Sequence, residues 1–329
     1  MKEVLITGGA GYIGLNVAVN FLTEGYKVVI VDDLKNSYKK NINRLLKIYD
    51  NLSLYVGNVC SYDFMQKIFN NHDFSLVIHL SAKKYVFESI LHKRAYLNNN
   101  MQSLKVVLQL CKEHKVKKFA FASSITVYGN NAYKNINESE PYAPTSPYAL
   151  SKQLGEELIK KWQKENANSC IIFRFTNPIG ANTKYMLGDN SKLKKISLPA
   201  YVVSGALANK QLIFNGNTFN TADGTPVRDY IHVCDLAKIV FEMCKKYNQK
   251  QLEIINIGCG KDGYSVLQIV HEIEKFLGRQ NYSFGAKKEG DVARLVCDNS
   301  KLNSYGLLPR LNLADMLQSE IAFRKYLTK

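Results

Sequence analysis

Two side chains that could transfer a proton together lie four residues apart, in Tyr148-Ala149-Leu150-Ser151-Lys152. Positions i and i+4 of a helix share one face, and the proline-containing stretch from residue 140 to residue 147 predicts that this helix begins close to Tyr148. An ammonium group beside a phenol favours the phenolate and lowers the pKa of the phenol. The pair is therefore a candidate general base near neutral pH, although the Tyr-x-x-x-Lys spacing also occurs by chance on many helices.

A second group of residues could bind the phosphates of a nucleotide. A short apolar run at residues 4–7 predicts a buried strand, and three glycines with G-x-x-G-x-x-G spacing follow it: Gly8, Gly11 and Gly14. Glycine permits a tight turn and lets a pyrophosphate approach the N-terminus of the helix that follows. The next apolar run ends at Asp32, where a carboxylate hydrogen-bonds an adenosine ribose and disfavours a 2′-phosphate. This order predicts a dinucleotide site that prefers NAD to NADP.

Strands and helices alternate through the first half of the chain. Apolar runs predict strands at residues 52–56, 76–80, 118–122 and 170–175, and amphipathic patterns predict helices at residues 62–70, at 95–114 and from Tyr148 onward. This alternation predicts an α/β fold built on a Rossmann doubly wound parallel sheet. The loops after such strands carry the ligand, and Ser124, Tyr148 and Thr176 all lie near predicted strand ends.

The pattern changes after Asn177. Residues 181–198 are polar and irregular, which is typical of a second domain or a lid. Beyond them, helices are predicted at residues 236–244 and 265–277, and a strand at 254–257. We expect an NAD-binding Rossmann domain at residues 1–178 and a smaller α/β substrate-binding domain at residues 179–329, with some segments returning to the first domain.

Composition limits the class of partner. Lysines and arginines number 44 against 28 acidic residues, which gives a formal net charge of +16, but the basic residues form short clusters such as 115–118 and 192–195. Without a nucleic-acid-binding motif, this charge predicts a lysine-rich solvated surface around a site for an anionic small molecule, and no nucleic-acid partner.

The location of the protein is also suggested by the sequence. No run of 18 apolar residues occurs, so no membrane span is predicted, and the early glycines are not typical of a signal peptide. The seven cysteines are scattered without a CxxC pair, so neither a disulfide framework nor a metal site is predicted. We expect a soluble, cytoplasmic protein.

Longer motifs surround these residues. They are Thr7-Gly8-Gly9-Ala10-Gly11-Tyr12-Ile13-Gly14, Ser123-Ser124-Ile125-Thr126-Val127-Tyr128-Gly129, Ser146-Pro147-Tyr148, Asn177-Pro178-Ile179-Gly180-Ala181, Asp223-Gly224-Thr225-Pro226-Val227-Arg228-Asp229-Tyr230-Ile231-His232-Val233 and Glu289-Gly290-Asp291. Together they resemble the extended short-chain dehydrogenase/reductases, and within these the UDP-glucose (UDP-hexose) 4-epimerases of the NAD-dependent epimerase/dehydratase family. The resemblance runs from about residue 3 to residue 303.

The resemblance implies an isomerase that oxidises carbon 4 of a UDP-hexose transiently, using tightly bound NAD. A 4-keto sugar then turns over about its diphosphate link and is reduced on its other face, so UDP-glucose and UDP-galactose interconvert. In this scheme Tyr148 is the base, Ser124 hydrogen-bonds the same oxygen, and Lys152 holds the nicotinamide ribose. Lys152 and the positive charge of the cofactor are expected to keep Tyr148 acidic.

The resemblance also implies which residues bind the cofactor and the substrate. The cofactor set is Gly8, Gly11, Tyr12, Ile13, Gly14, Asp32, Asp33, Asn36, Ser37, Asn58, Val59, Leu80, Ser81, Ala82, Lys84, Asn100, Tyr148, Lys152 and Thr176. The substrate set is Lys84, Ser124, Tyr148, Asn177, Ser197, Leu198, Phe214, Arg228, Tyr230, Lys288, Asp291 and Leu295, in which Arg228 could pair with the diphosphate. No metal is implied.

The sequence departs from the family pattern at several of these positions. Asn58 replaces an aspartate, Leu80-Ser81-Ala82 replaces Phe-Ala-Gly, and Thr176 replaces a phenylalanine. Residues 195–199 read Lys-Ile-Ser-Leu-Pro where the family has Asn-Asn-Leu-x-Pro. An asparagine that would contact UDP is therefore missing, whereas the residues of the chemical step are present.

Two further expectations follow from the resemblance. Leu295 stands at a position beside the sugar where a tyrosine is common in the family. The smaller leucine could leave a wider sugar pocket that admits N-acetylated hexoses. Alternatively, Leu295 could face the core, and neighbouring side chains would then fill the space that the tyrosine leaves. A homodimer is implied through helices near residues 95–113 and 148–165, the second of which carries Trp162, although both helices could simply cover the sheet.

Two other functions remain open. A 4,6-dehydratase or a related NAD-dependent nucleotide-sugar enzyme, such as a decarboxylase, a reductase or a uronate epimerase, is one alternative. The dehydratases and decarboxylases place a carboxylate directly after the catalytic serine or threonine, where this chain has Ile125 and Thr126. A non-catalytic NAD-binding protein is the other alternative, and the intact Ser124, Tyr148 and Lys152 argue against it.

Overall fold

The structure is a computed structural model that describes residues 2–129, 135–192, 196–260, 262–287 and 291–328. Its strands are β1 (Glu3–Thr7), β2 (Lys27–Asp32), β3 (Leu52–Val56), β4 (Phe74–His79), β5 (Lys118–Ser124), β6 (Ser169–Phe175), β7 (Asn177–Ile179), β8 (Leu212–Asn215), β9 (Val227–Arg228), β10 (Tyr230–His232), β11 (Leu252–Ile257), β12 (Tyr264–Ser265), β13 (Tyr282–Gly285) and β14 (Arg294–Leu295).

The helices run between these strands. They are α1 (Tyr12–Thr23), α2 (Lys39–Leu46), α3 (Tyr62–Asn70), α4 (Val86–Leu91), α5 (Lys93–Glu113), α6 (Pro147–Asn166), α7 (Leu198–Leu207), α8 (Val233–Lys246), α9 (Val266–Leu277), α10 (Ser300–Ser304) and α11 (Leu313–Leu327). A short 3-10 helix, Ile125–Tyr128, follows β5. Among the described residues, no helix combines the length and the apolar composition needed to cross a membrane.

A seven-stranded sheet in the described part of the chain organises the fold. Its strand order is β11-β6-β5-β4-β1-β2-β3, and every neighbouring pair is parallel. The order reverses between β1 and β4, so the carboxyl ends of these two strands border the crevice where such sheets bind ligands. The predicted α/β fold with a doubly wound parallel sheet is confirmed.

Helices cover both faces of this sheet, which explains why its strands read as continuous apolar runs. One buried cluster joins the sheet to α1 and α8, where the rings of Phe21 and Phe241 meet edge to face with centroids 4.9 Å apart. A second cluster lies beneath α3, α5 and α6 and includes Trp162, whose ring centroid is 6.0 Å from that of Phe119.

The later part of the chain forms a smaller α/β region. A third buried cluster joins α7, α9 and α11 to the short strands β8, β10 and β13. However, β11 pairs with β6 as the edge strand of the large sheet, in line with the expectation that some segments return to the first domain. The division at residue 178 itself stays a prediction.

Predicted and observed element boundaries differ mainly at the ends. The strand predicted at residues 76–80 is observed at Phe74–His79, and the helix predicted at 236–244 is longer, at Val233–Lys246. Five helices of the described structure were not predicted: α2, α4, α7, α10 and α11. Of these, α7 has the largely apolar sequence LPAYVVSGAL, which lacks the polar face that marks an amphipathic helix.

Candidate active site

Tyr148 and Lys152 lie on the first two turns of α6. Pro147 opens the helix, and the Oγ of the N-cap residue Ser146 accepts a hydrogen bond from the Ala149 N–H at 3.2 Å. Serine at the N-cap and proline in the first turn both favour a helix start, so the sequence places Tyr148 at this end of α6. The Lys152 Nζ is 5.8 Å from the centroid of the Tyr148 ring, which confirms the predicted pairing on one helix face.

Lys152 is held against the end of β5. Its Nζ donates a 2.6 Å hydrogen bond to the carbonyl of Ala122 and lies 4.8 Å from the centroid of the Phe121 ring. Burial lowers the pKa of Lys152 to about 8, and the nearby Glu156 carboxylate acts in the opposite direction. The ammonium group is therefore a buried cation fixed between the sheet and the phenol.

Ser124 completes this constellation at the carboxyl end of β5. Burial raises the pKa of Tyr148 to about 12, and a hydrogen bond with Ser124 is the interaction that opposes the rise. In the protein alone, the loss of solvation of the phenolate outweighs the effect of Ser124 on this pKa. The expectation that Lys152 and bound NAD together keep Tyr148 acidic stays a prediction. A further cation beside the phenol would act in the direction of ionisation.

The glycines after β1 form a close turn at the start of α1. Gly8 has φ +68°, and a Cβ there would lie 2.8 Å from the backbone of Ser81. A Cβ at Gly14 would lie 2.6 Å from the Cα of Gly9. Within the described structure, the N-cap residue Gly11 offers no side-chain cap to α1. The first-turn amides, which include those of Tyr12 and Ile13, are available to a pyrophosphate.

Asp32 lies beside this turn, at the end of β2. One carboxylate oxygen accepts a hydrogen bond from the Ala10 N–H at 3.1 Å, and the other accepts one from the Leu34 N–H at 2.8 Å. Burial raises the pKa of Asp32 despite these two hydrogen bonds. The neighbouring Asp33 is more exposed and forms a 3.5 Å ion pair with Lys35. A carboxylate held at the glycine turn suits a ribose hydroxyl.

The loop after Asp33 approaches the second half of the chain. The Asn36 Oδ1 accepts a hydrogen bond from the Ser191 hydroxyl, and the Ser191 Oγ lies 2.6 Å from the Tyr85 Oη. Ser37 is buried. In the next loop, the Asn58 Oδ1 accepts a hydrogen bond from the Cys60 N–H at 3.0 Å, and Val59 belongs to the buried cluster beneath α3 and α5.

The segment after β4 lies across the crevice from the glycine turn. The Leu80 N–H donates a 3.0 Å hydrogen bond to the carbonyl of Thr7 at the end of β1. Ser81 and Ala82 are half-buried and Lys84 is exposed. The amide of Asn100 fixes this segment, since its Oδ1 accepts from the Lys83 N–H at 2.8 Å and its Nδ2 donates to the Lys83 carbonyl at 3.1 Å.

Thr176 lies just beyond β6. Its side-chain hydroxyl is buried, and it has no hydrogen-bond partner among the described residues. A buried hydroxyl without a partner costs roughly 1–3 kcal/mol. This orphaned group, the uncapped start of α1 and the placement of Asp32 at the glycine turn are all consistent with the binding of NAD.

The residues implied in sugar-nucleotide binding divide into two groups. Arg228 is mostly buried, and this burial lowers the pKa of its guanidinium group. Tyr230 and Asp291 raise the same pKa. The Asn177 Nδ2 donates a 2.8 Å hydrogen bond to the carbonyl of Asp229, and the strands β7 and β10 that carry Asn177 and Tyr230 are paired. These residues therefore form a compact basic and polar group.

The second group is buried or lies at a helix start. Ser197 is the N-cap residue of α7, and Leu198 begins that helix. Phe214 is a core side chain, with its ring centroid 6.2 Å from that of Phe284. Leu295 belongs to a buried apolar cluster that also contains Ile125 and Val127, which follow Ser124. Lys288 lies outside the described residues.

Residue-type patterns did not reveal two buried features next to the site. The His79 ring is parallel to the Phe121 ring with centroids 6.0 Å apart, and its Nδ1 lies 2.8 Å from the Thr7 Oγ1. Burial lowers the pKa of His79 to about 3. The other feature is an ion pair between Glu156 and Arg174. In the sequence, the only signs of these features are a histidine that ends an apolar strand and a glutamate four residues after Lys152.

Among the described residues, no three acidic, histidine or cysteine side chains lie close enough together to bind a metal ion.

Comparisons with known proteins agree with this geometry. The profile of the NAD dependent epimerase/dehydratase family matches residues 4–258. The chain belongs to this family. It is similar to the UDP-glucose 4-epimerase of Bacillus subtilis, with 34% identity over 91% of this chain and 89% of that protein. The predicted resemblance to this family, and NAD as its cofactor, are therefore confirmed.

Solved structures support the same assignment. The UDP-glucose 4-epimerase from Bifidobacterium longum in complex with NAD+ and UDP has a TM-score of 0.94 and 33% identity, over 99% of this chain and 98% of that one. The UDP-Glc/GlcNAc 4-epimerase from Campylobacter jejuni has a TM-score of 0.83 and 27% identity, over 99% of this chain and all of that one. This NAD-dependent epimerase/dehydratase therefore shares its whole fold with both enzymes.

Proposed function

We propose that this protein is a nucleotide-sugar 4-epimerase that interconverts UDP-glucose and UDP-galactose through a 4-keto sugar. One observation carries the proposal: Ser124, Tyr148 and Lys152 lie together beside a glycine turn that suits NAD. The similarity to the Bacillus subtilis and Bifidobacterium longum UDP-glucose 4-epimerases supports the choice of substrate. Ile125 and Thr126 follow Ser124 where a 4,6-dehydratase has a carboxylate, and the Thr126 hydroxyl donates to the Ser124 Oγ at 3.0 Å, which favours an epimerase over a 4,6-dehydratase.

We further propose a role in the reaction for each of Ser124, Tyr148 and Lys152. The Tyr148 Oη takes the proton of the sugar 4-hydroxyl and later returns it, and Ser124 hydrogen-bonds the same oxygen. The chemistry that bound NAD supplies is reversible hydride exchange with carbon 4. Lys152 holds the nicotinamide ribose and favours the phenolate of Tyr148.

The two halves of the site hold different parts of the ligands. The glycine turn and Asp32 hold the pyrophosphate and the adenosine ribose of NAD, together with the other cofactor residues named from the sequence. Arg228 and Asn177, with Asp291, hold the UDP group of the substrate. The glycine turn and Asp32 lie within residues 1–178, and Arg228 and Asp291 lie within residues 179–329, which supports a cofactor domain followed by a substrate domain; Asn177 lies at the boundary between them.

The test measures the product and the cofactor in one preparation. Purified protein should release NAD on denaturation, and it should convert UDP-glucose to UDP-galactose without net formation of NADH. Continuous NADH release would indicate a dehydrogenase, and loss of water from the sugar would indicate a dehydratase. A protein that retains NAD but leaves a panel of UDP-sugars unchanged would be a non-catalytic NAD-binding protein.

We also propose a cytoplasmic homodimer. The seven cysteines, all within described residues, form no disulfide, as expected in a reducing compartment. The short helix α4 exposes Phe87, Ile90 and Leu91 beside α5 and α6. Trp162 does not mark this surface, because it packs into the core. Light scattering at micromolar concentration should give twice the mass of the monomer. The Leu91→Glu variant should have a lower measured mass. A monomeric mass for the wild type would contradict the dimer.

A further inference from the structure

A buried ion pair lies one helical turn beyond Lys152 on α6. The Arg174 Nη2 is 2.7 Å from the Glu156 Oε2, and the Arg174 Nε donates to the Glu156 Oε1 at 3.0 Å. The Glu156 side chain is fully buried, and that of Arg174 is 2% exposed. Replacing such a pair by well-packed apolar side chains is often neutral or stabilising. Stability alone therefore does not account for it.

The pair joins both segments that flank Ser124. The Ser123 hydroxyl donates to the Glu156 Oε1, and the Tyr142 hydroxyl donates to the Glu156 Oε2 at 2.7 Å. On the other side, the Arg174 Nη1 donates to the hydroxyl of Tyr128, the last residue of the 3-10 helix after Ser124. Glu156 thus contacts the residue before Ser124 directly, and it contacts the turn after Ser124 through Arg174.

The same helix face meets the end of β5 three times. The Ser124 side chain interacts with the Tyr148 phenol and lowers its pKa, the Lys152 Nζ donates to the carbonyl of Ala122, and Glu156 accepts from Ser123. The three helix residues are spaced four apart, and the three strand residues are consecutive. A shift of α6 along β5 would break all three contacts together.

We propose that Glu156 is a positioning residue, which through Ser123 and Arg174 fixes Lys152 and Ser124 relative to Tyr148 in the epimerase reaction. This inference rests on the proposed function. A misplacement of catalytic groups by about 1 Å can lower turnover by roughly 100-fold. Glu156 also supplies the negative charge nearest to Lys152 on α6, and it opposes the lowering of the Lys152 pKa by burial.

Other charged and titratable groups face this part of the site. His79 on β4 interacts with Lys152, and its pKa of about 3 keeps it neutral above acidic pH. Around Glu156, the Lys160 Nζ donates to the Tyr142 Oη, and Arg174 contacts Tyr128 and the carbonyl of Glu138. Removing the Glu156 charge is therefore expected to favour the neutral Lys152, so the loss of activity on the alkaline side should begin at lower pH.

The experiment compares Glu156→Gln with wild type and with Glu157→Gln. Glu157 is the neighbouring exposed residue, and it only accepts a hydrogen bond from Gln153 among its described partners. We expect Glu156→Gln to lower kcat roughly 10- to 100-fold, with KM and the amount of bound NAD close to wild type. The alkaline limb of its pH–kcat profile should move to lower pH, and Glu157→Gln should match wild type.

Glu156→Gln leaves Arg174 without its buried partner and could unfold. The double variant Glu156→Met and Arg174→Met removes both charges and keeps a similar volume. We expect it to fold with a lower melting temperature, since the Ser123 and Tyr142 hydroxyls lose their acceptor, and to have the lower kcat and the shifted profile. Wild-type kcat and an unmoved profile in this variant would overturn the proposal, because the pair would then only stabilise the fold.

A measurement that does not depend on epimerase activity can test the role of Glu156 independently of the proposed function. The pKa of Lys152 can be followed by NMR of 15Nζ-lysine-labelled protein, with Lys152→Met for assignment. We expect the double variant to lower this pKa. An inactive wild type would overturn the epimerase proposal, whereas an unchanged Lys152 pKa would overturn the role of Glu156 in an active or an inactive protein.

Discussion

The backbone N–H of Tyr148 donates a hydrogen bond to the Oγ of Ser89, at 3.2 Å. Ser89 is fully buried on α4, so a side chain of one helix satisfies a first-turn amide of another helix that has no partner within α6. The base of the proposed reaction is therefore held by two different helices. α4 takes part in the site although none of its side chains was predicted to do so.

We predict that Ser89→Ala destabilises the protein and slows epimerisation. The variant leaves the Tyr148 amide buried without a partner, at a cost of roughly 1–3 kcal/mol, and frees the start of α6. Urea unfolding and steady-state kinetics measure the two effects. Ser103→Ala is the matched control, because Ser103 is equally buried but donates to the carbonyl of Asn100 within α5. Equal effects on kcat in both variants would contradict the prediction.

Tyr148→Phe tests the identity of the base. The change removes the phenol hydroxyl and keeps the ring next to Lys152, so NAD should remain bound. We expect turnover to fall by at least ~100-fold, the usual scale for general acid–base catalysis. The exposed Tyr326→Phe variant should behave as wild type. Near-normal turnover by Tyr148→Phe would show that another group removes the proton.

His79 should make the protein less stable in acid. The pKa of its imidazole is lowered to about 3 in the fold and is about 6.5 in the unfolded chain. Between these values the unfolded state binds more protons, so stability rises with pH, by up to about 1.4 kcal/mol per pH unit for one group. In His79→Asn this contribution is lost. Urea unfolding from pH 4.5 to pH 7 should give a flatter pH dependence for His79→Asn.

The control for this measurement is His271→Asn, on the exposed side of α9. All other titrating groups are common to the variants, so their contributions cancel in the comparison. A His79→Asn slope equal to that of wild type and of His271→Asn would show that His79 is not the group responsible.

Leu295 should influence which sugars are accepted. We predict turnover of UDP-N-acetylglucosamine and UDP-N-acetylgalactosamine as well as of the plain UDP-hexoses, because leucine lacks the ring and hydroxyl of the usual tyrosine. Leu295 packs in a buried cluster with Ile125 and Val127, so a larger side chain must displace neighbours close to Ser124. Leu295→Tyr should reduce kcat/KM for the N-acetylated pair by roughly 10- to 200-fold relative to the plain pair.

The exposed Leu308→Tyr variant controls for the added ring. If wild type does not act on the N-acetylated pair, or if Leu295→Tyr leaves the ratio of the two kcat/KM values unchanged, Leu295 only fills the core and the substrate range is set elsewhere.

The sequence was informative where local chemistry determines the structure. The alternating apolar runs, the glycine spacing with Asp32 at the end of β2, and the proline-containing stretch before Tyr148 each have a local physical reason, and they predicted the sheet, the cofactor turn and the start of α6. The contacts made by Ser89, His79 and Glu156 depend on residues that are 33 to 72 positions away or on other elements. No local pattern specifies such contacts. The rise of the Tyr148 pKa by burial was not predicted for the same reason, since burial is a property of the whole fold.

The pairing of β11 with β6 has a consequence for synthesis on the ribosome. β6 ends at Phe175, but its outer neighbour is supplied by Leu252–Ile257. While the intervening residues are being translated, β6 presents an open row of backbone donors and acceptors, which can pair with the same strand of another nascent chain. A fragment ending at residue 178 would keep this open edge permanently. We expect such a fragment to aggregate, whereas one ending beyond residue 257 should remain in solution.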